Sequence, residues 1–504
     1  MIKTISKQLL SHLSELVTTL MGLYFPEARW GDLERGIVSS ARELGFADIE
    51  AFSKWLRSTP LTKNHVEILA NHLTVGETYF FREKESFQVL EEHVFSELIR
   101  TRHENEKRLR IWSAGCSTGE EPYSIAILLS RLIPDLKDWN ITITATDINL
   151  RSLKKASEGL YSEWSFRSAP SWIKESYFKR IENGHYEIIP PIKKMVTFEY
   201  LNLAEDVYPS LLNNTNAMDL IFCRNVLMYF SAERARKVVQ GLYNSLLNDG
   251  WLLVSPTEAF KCLSSQFVTV NFSGTTLYRK DSKKPQTTED IRRAEIPLYT
   301  PHIESKAEFS RFFGYIPEPQ VVSASPESIP AREIEKPEAE ETPPDPYMEA
   351  VMMFEQGRYA EATEKLTGSS LKGKGNPKAL ALLARACANQ GRLADALKWC
   401  KKAIAADTLN PGYHYLLATI LLEHGLLEET IQSLKKALYL DPHFVLAYFV
   451  LGNIMQKQGE PETSRKYFKN AFELASAHKP EEALPESEGM TAGRLSEIIE
   501  AMIH

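Results

Sequence analysis

The sequence predicts an α/β protein built from an N-terminal helical domain, a doubly wound Rossmann-like domain with a small antiparallel β insertion, and a C-terminal all-α solenoid. Three observations predict it. Apolar strand-like runs alternate with helical runs from about residue 73 to 280, the pattern of a parallel sheet wrapped by helices. A glycine recurs every 34 residues at Gly357, Gly391, Gly425 and Gly459, the period of a two-helix repeat. The length, 504 residues, exceeds one ordinary core and calls for several domains.

Composition narrows the function classes. The net charge is −7 and no long Lys/Arg run occurs, so no nucleic-acid partner is expected. No apolar run is long enough to span a bilayer. The segment Met1–Leu10 reads as an amphipathic helix instead of a signal peptide, so no direct membrane insertion is expected. The five cysteines form no C-x-x-C pair. That argues against a disulfide framework or a metal site, and makes a reducing cytoplasm the default.

Residues 1–72 read as short amphipathic helices, with Trp30, Leu33, Ile37, Phe52 and Trp55 near helical spacing. Residues 73–280 form the α/β domain. Residues 281–345 are a Pro/Glu-rich linker, too polar in Glu335–Pro344 to bury a core. Its aromatic stretch Ala307–Tyr315 is a candidate docking patch. Residues 346–478 carry the repeats, and 479–504 form a tail whose segment Leu495–Ile503 is amphipathic and suited to cap them.

Other columns of the repeat keep step with the glycines. Ala350, Ala384, Ala418 and Gly452 are small where paired helices approach, and so are Ala403, Ala437 and Ala471. Leu366, Cys400, Leu434 and Phe468 hold a larger apolar position. Each glycine ends a first helix and permits a tight turn. The region resembles four tetratricopeptide repeats, which bind peptides or helices.

Within the α/β domain, Leu109–Ala114 reads as a strand, Gly115–Gly119 as a small-residue turn, and Glu121–Leu129 as a helix with Pro122 in its first turn. This is the first unit of a nucleotide-binding fold, where glycine lets the backbone approach a ligand. A second strand, Ile141–Asp147, ends in a carboxylate suited to ribose hydroxyls. The turn alone is compatible with a nicotinamide cofactor or with S-adenosylmethionine. Glu120 and Glu121 favour the latter, because carboxylates repel a pyrophosphate and attract an ammonium and a sulfonium. One of the two complements the helix dipole and the other faces the ligand.

Four stretches together resemble the chemotaxis receptor glutamate methyltransferases, the CheR-type enzymes: Thr78–Arg82, Trp112–Ser124, Ala145–Ile148 and Ile221–Phe230. The resemblance covers residues 1 to about 280. It implies transfer of a methyl group from S-adenosylmethionine to a chemoreceptor glutamate. It places Thr78 and Arg82 near the cofactor's carboxylate and methyl end, Gly115 in the turn beneath it, and Glu121 on the amino group. It sets Asp147 on the ribose, Asn202 and Leu203 beside the adenine, Asn225 and Val226 on the floor near the sulfonium, and Tyr229 by the transfer site. Arg82 and Tyr229 are the candidate catalytic residues. A glutamate carboxylate is ionised at neutral pH, so positioning and water exclusion suffice. A non-catalytic repeat scaffold with a relic cofactor domain is the alternative.

The sequence departs from that family in three places. Gly76 stands where some members carry a cofactor-touching asparagine. Residues 160–200 are expected to form the antiparallel insertion, but Arg180–Tyr186 holds a single glycine, so no peptide tether is expected there. Arg29, Arg35 and Arg42 are interleaved with Asp32, Glu34 and Glu43, so the positive face of the N-terminal helices is weak. The repeats are left to recruit a receptor, a sibling signalling protein or the chain's own catalytic domain.

Overall fold

A computed structural model describes residues 5–59, 61, 63–103, 107–181, 184–204, 207–258, 263, 266–281, 345–370 and 376–503. The expected linker, apart from Asp281 and Asp345, lies outside the described residues, and so does its aromatic stretch 307–315.

The N-terminal part is a cluster of helices, Lys7–Met21, Trp30–Glu43, Ile49–Ser58 and Lys63–Leu73. Ser6 caps the first by accepting the Leu9 N–H, and Gly22 closes it in the left-handed region at φ 76°. Leu13, Met21, Leu33, Ile37 and Phe52 form the core between them. Gly36 lets the second and fourth helices meet, since a Cβ there would lie 2.5 Å from a Leu73 methyl.

The central sheet has seven strands. In chain order these are β1 (Arg108–Ala114), β2 (Asn140–Asp147), β6 (Val196–Tyr200), β7 (Met218–Cys223), β8 (Leu246–Val254), β9 (Val268–Phe272) and β10 (Thr275–Arg279), in the spatial order β6-β2-β1-β7-β8-β10-β9. The first five are parallel and the last two pair antiparallel. Every residue of β1 is buried, as expected for a parallel strand covered on both faces. The strand order reverses beside β1, which puts a ligand crevice at its carboxyl end.

The antiparallel insertion is a three-stranded sheet of β3 (Leu160–Tyr161), β4 (Phe178–Arg180) and β5 (Tyr186–Ile188). It ends sooner than the expected 160–200. Val196–Tyr200 instead joins the main sheet, pairing parallel with β2 in the register Ile143↔Val196. Apolar Val196 and Phe198 alternate along that edge strand and pack against the main core.

The repeats form helix pairs Pro346–Glu355 with Tyr359–Ser370, Pro377–Asn389 with Leu393–Ala406, Pro411–Glu423 with Leu427–Leu440, and Val445–Gln458 with Pro461–Ser476. The glycine column sits at φ 74°, 71°, 77° and 80°, where a side chain would be strained. A Cβ on Gly452 would lie 2.6 Å from the Phe468 ring, which explains the small-residue column. The tail helix Ala492–Ile503 buries Ala492, Leu495 and Ile499 in the same core as Phe468 and Ala471, capping the stack.

The glycine turns have a second use. Gly357 lies against Asn244, Gly391 against Leu247 and Gly425 against Asn140. Three successive turns thus dock on the α/β domain, at the amino ends of β1, β2 and β8. Glu423 anchors the contact: its carboxylate receives Arg108 at 3.1 Å and the Asn216 amide at 2.5 Å, and its carbonyl receives the Asn140 amide at 3.1 Å. The repeats therefore cover the amino ends of the central strands, opposite the crevice.

Candidate cofactor and active site

A cavity of about 280 Å³ opens at the carboxyl ends of β1, β2 and β7. Thr78, Arg82, Gly115, Glu121, Asp147, Asn202, Leu203, Asn225, Val226 and Tyr229, the ten residues expected from the sequence, all line it.

The turn after β1 explains its glycines. Gly115 has φ 82°, and a Cβ there would lie 2.3 Å from a Val226 methyl. The β1 and β7 loops therefore touch only because position 115 lacks a side chain. Gly119, at φ 91°, starts the helix Glu120–Leu132.

The two glutamates lie in different surroundings. Glu120 is buried and accepts the hydroxyls of Thr118 at 2.7 Å and Ser165 at 3.0 Å, tying the turn to the insertion. Glu121 lines the cavity. Its carboxylate accepts the Ser113 hydroxyl at 2.7 Å and lies 3.4 Å from Arg224. Burial pushes its pKa up against the opposing pull of Arg224. A desolvated carboxylate of this kind gains most from a cationic ligand.

Asp147 is held by two backbone N–H groups, those of Ser117 and Asn149, each at 2.8 Å. Burial raises its pKa and the two amides oppose that rise. The Ser117 hydroxyl is buried beside the turn with no partner among the described residues, and Gly76 leaves its own Cβ position 3.3 Å from that oxygen. The carboxylates, the orphan hydroxyl and the glycine-flanked turn fit a nucleoside carrying a positive charge.

The floor is built around a residue that no sequence motif marked. Glu258 is fully buried and accepts the backbone N–H groups of Asn225 at 2.6 Å, Met228 at 3.2 Å and Ser255 at 3.2 Å. This stabilises Asn225 in the left-handed region at φ 60°. Burial, opposed by those amides, pushes the Glu258 pKa up to about 7.

Arg224 is a second residue beyond the expected set. Its side chain is 2% exposed; it pairs with Glu83 at 3.1 Å and donates to the Arg82 carbonyl at 2.8 Å. It thereby joins the Arg82 loop to Glu121. Arg82 itself lies at the rim, donating to the Glu77 carbonyl at 2.6 Å with its guanidinium 5.7 Å from the Tyr79 ring. Arg167 packs closer on the same ring, at 3.9 Å.

The N-terminal helices supply the remaining wall through Met21 and Leu23, which sequence reading did not single out. Leu23 forms a backbone bridge with Phe230, and the Tyr24 N–H donates to the Tyr229 carbonyl at 2.8 Å. The guanidinium of Arg29 lies 5.2 Å from the Tyr229 ring. Arg35 pairs with Asp32, and Glu43 with His72 and Arg151, so much of the mixed charge is internally satisfied. Among the described residues, no group of three or more His, Cys, Asp and Glu could hold a metal ion, and no helix is long and apolar enough to cross a membrane.

A family model described as CheR methyltransferase, SAM binding domain, matches residues 76–275. Tetratricopeptide repeat models match 353–420, 411–444 and 445–478. Chemotaxis protein methyltransferase 2 of Vibrio cholerae is 37% identical over 218 residues, 43% of this chain and 74% of the relative. The chemotaxis protein methyltransferase of Borreliella burgdorferi is 31% identical over 260 residues, 51% of this chain and 90% of the relative. Among solved structures, a crystal structure of MamA aligns at 22% identity and a TM-score of 0.25, over 26% of this chain and 77% of that one. The chain belongs to the CheR methyltransferase family, with an S-adenosylmethionine-binding domain followed by tetratricopeptide repeats.

Proposed function

We propose that this methyltransferase esterifies glutamate side chains on a chemoreceptor, and that the repeats recruit a protein partner in the same signalling pathway. The observation that carries the reading is the charge arrangement of one cavity. The half-buried carboxylates Glu121 and Asp147 line it, and the guanidinium of Arg82 stands at its rim.

In this reading Glu121 holds the cofactor's ammonium, Asp147 its ribose hydroxyls, and Asn202 and Leu203 flank the adenine. Thr78 and Arg82 hold the carboxylate end, with Gly115, Asn225 and Val226 beneath. S-adenosylmethionine, when bound, supplies an electrophilic methyl group. The acceptor glutamate is already ionised near neutral pH, so the chain needs no general base. Arg82 steers that carboxylate to the rim and Tyr229 fills the space beside it, excluding water. An arginine that gripped the carboxylate too tightly would stabilise the ground state, and the partial exposure of Arg82 keeps its grip weak.

Residues 1–72 act as the helical cover of the cavity, 73–280 as the transferase, 281–345 as a tether, and 346–478 with the tail 479–504 as the recruiting module, in the cytoplasm. The test uses the full chain, tritiated S-adenosylmethionine and membranes carrying the cognate receptor. Label on receptor glutamate that mild alkali releases is expected. Alkali-stable label overturns the ester assignment, and absence of cofactor binding by calorimetry favours the scaffold alternative.

A further inference from the structure

The first helix of the third repeat is apolar nearly all round. Tyr413, Tyr415, Leu416, Thr419 and Ile420 are all buried on it, whereas the second helix of that repeat buries only Thr430, Leu434 and Ala437. A helix without a polar face needs cover on both sides. Part of that cover is the chain's own loop 484–490.

Leu484 packs into the cluster that contains Tyr415 and Phe444. Glu486 pairs with Arg385 on the first helix of the second repeat. A Cβ on Gly412 would lie 2.8 Å from the Glu486 carboxylate, so the missing side chain makes room for that acid. Glu488 accepts the Leu211 N–H of the catalytic domain at 3.2 Å. The loop is closed at its base by a backbone bridge between Ala483 and Thr491, which presents it as a preformed turn.

The fit is incomplete. The Tyr415 hydroxyl on this face belongs to a residue 3% exposed and has no hydrogen-bond partner among the described residues. Burial raises its pKa, and the nearby charge of Glu488 raises it further. Glu486 and Glu488 sit at φ 63° and 57°, a region costly for residues other than glycine. The loop satisfies the apolar and cationic parts of the surface and leaves a buried donor unused.

We propose that the face of the repeats centred on Arg385, Gly412 and Tyr415 is a recognition site for an acidic turn of a protein partner, and that residues 484–490 fill it in cis until such a turn exchanges with them. The partner offers a carboxylate to Arg385, an acceptor to the Tyr415 hydroxyl, and an apolar side chain to the position that Leu484 holds. Neither the face nor the loop lines the cofactor cavity, so the inference stands apart from the methyl-transfer reading.

The test uses the full chain and a fluorescent, backbone-cyclised peptide of residues 483–491 as probe. In the E486Q/E488Q variant the cis loop holds the face less well, and the peptide should bind at least ten-fold tighter than to the unaltered chain. Adding R385A should remove the gain. Equal binding to both chains, or binding indifferent to R385A, overturns the proposal. Hydrogen exchange on the unaltered chain requires no variant. Saturating peptide should speed exchange of the protein's own amides at 484–490 several-fold, and unchanged protection likewise overturns it.

Discussion

The guanidinium of Arg108, at the start of β1, meets the carboxylate of Glu423, at the end of the first helix of the third repeat, at 3.1 Å with side chains 7% and 4% exposed. Breaking a buried pair by removing one partner leaves an uncompensated charge and costs about 3–5 kcal/mol. Glu423→Ala is therefore expected to separate the unfolding of the repeats from that of the catalytic domain. Calorimetric scans should resolve two transitions where the parent shows stronger coupling. Arg108→Met combined with Glu423→Gln, which keeps an oxygen for the Asn216 amide, should recover much of the loss, and a double variant no more stable than Glu423→Ala would show that the pair is not the anchor.

The glycine column allows turn strain and docking to be separated. Gly391 and Gly459 share a left-handed backbone, but a Cβ meets Leu247 at 2.9 Å in the first case and nothing within 4 Å in the second. Gly459→Ala should cost about 1–2 kcal/mol from the backbone alone. Gly391→Ala should cost about 1–3 kcal/mol more through overpacking. Denaturant midpoints measure both, and equal losses would mean that the turns do not press on the catalytic domain.

Asp147→Ala should weaken S-adenosylmethionine binding about ten- to a hundred-fold, the range for losing hydrogen bonds to a charged group. The two backbone amides it satisfies border the cavity, where water can replace it, so the fold should persist. Calorimetric titration with an unchanged dissociation constant would remove Asp147 from the site.

Glu258 should leave a mark on pH dependence. Its folded pKa, about 7, lies above the ordinary 4.5, so the folded chain binds the proton more tightly than the unfolded one. Stability from this group is full below about pH 4.5 and is lost as pH rises through about 7. Glu258→Gln should flatten that part of the profile. It should also weaken cofactor binding, because an amide cannot accept all the N–H groups that hold the Asn225–Met228 turn. Denaturant midpoints of parent and variant at pH 5 and pH 8 give the comparison, and equal differences would exclude the group as a titrating element.

Much of the site is legible in the sequence because its parts are contiguous. Thr78–Arg82, Gly115–Glu121, the Asp147 strand end and Asn225–Tyr229 are each one short stretch; the last three follow β1, β2 and β7, and the first, between two helices, converges on them. Arg224 was within a recognised stretch, yet its role depends on Glu83 and Glu121 arriving from other loops. Glu258 had no motif; a glutamate following an apolar strand was its one signal.

Periodicity is a local property, so the sequence alone determined the main helices, the strand–turn–helix at Gly115 and the 34-residue turns, and the residues expected around the crevice came from the resemblance of four contiguous stretches to a known family. Only the tertiary structure decided that three glycine turns lie on the catalytic domain, that Met21 and Leu23 wall the cavity, and that Glu423 finds Arg108 across 315 residues of chain. Such contacts depend on the shape and charge of two finished surfaces, which no spacing within either surface encodes.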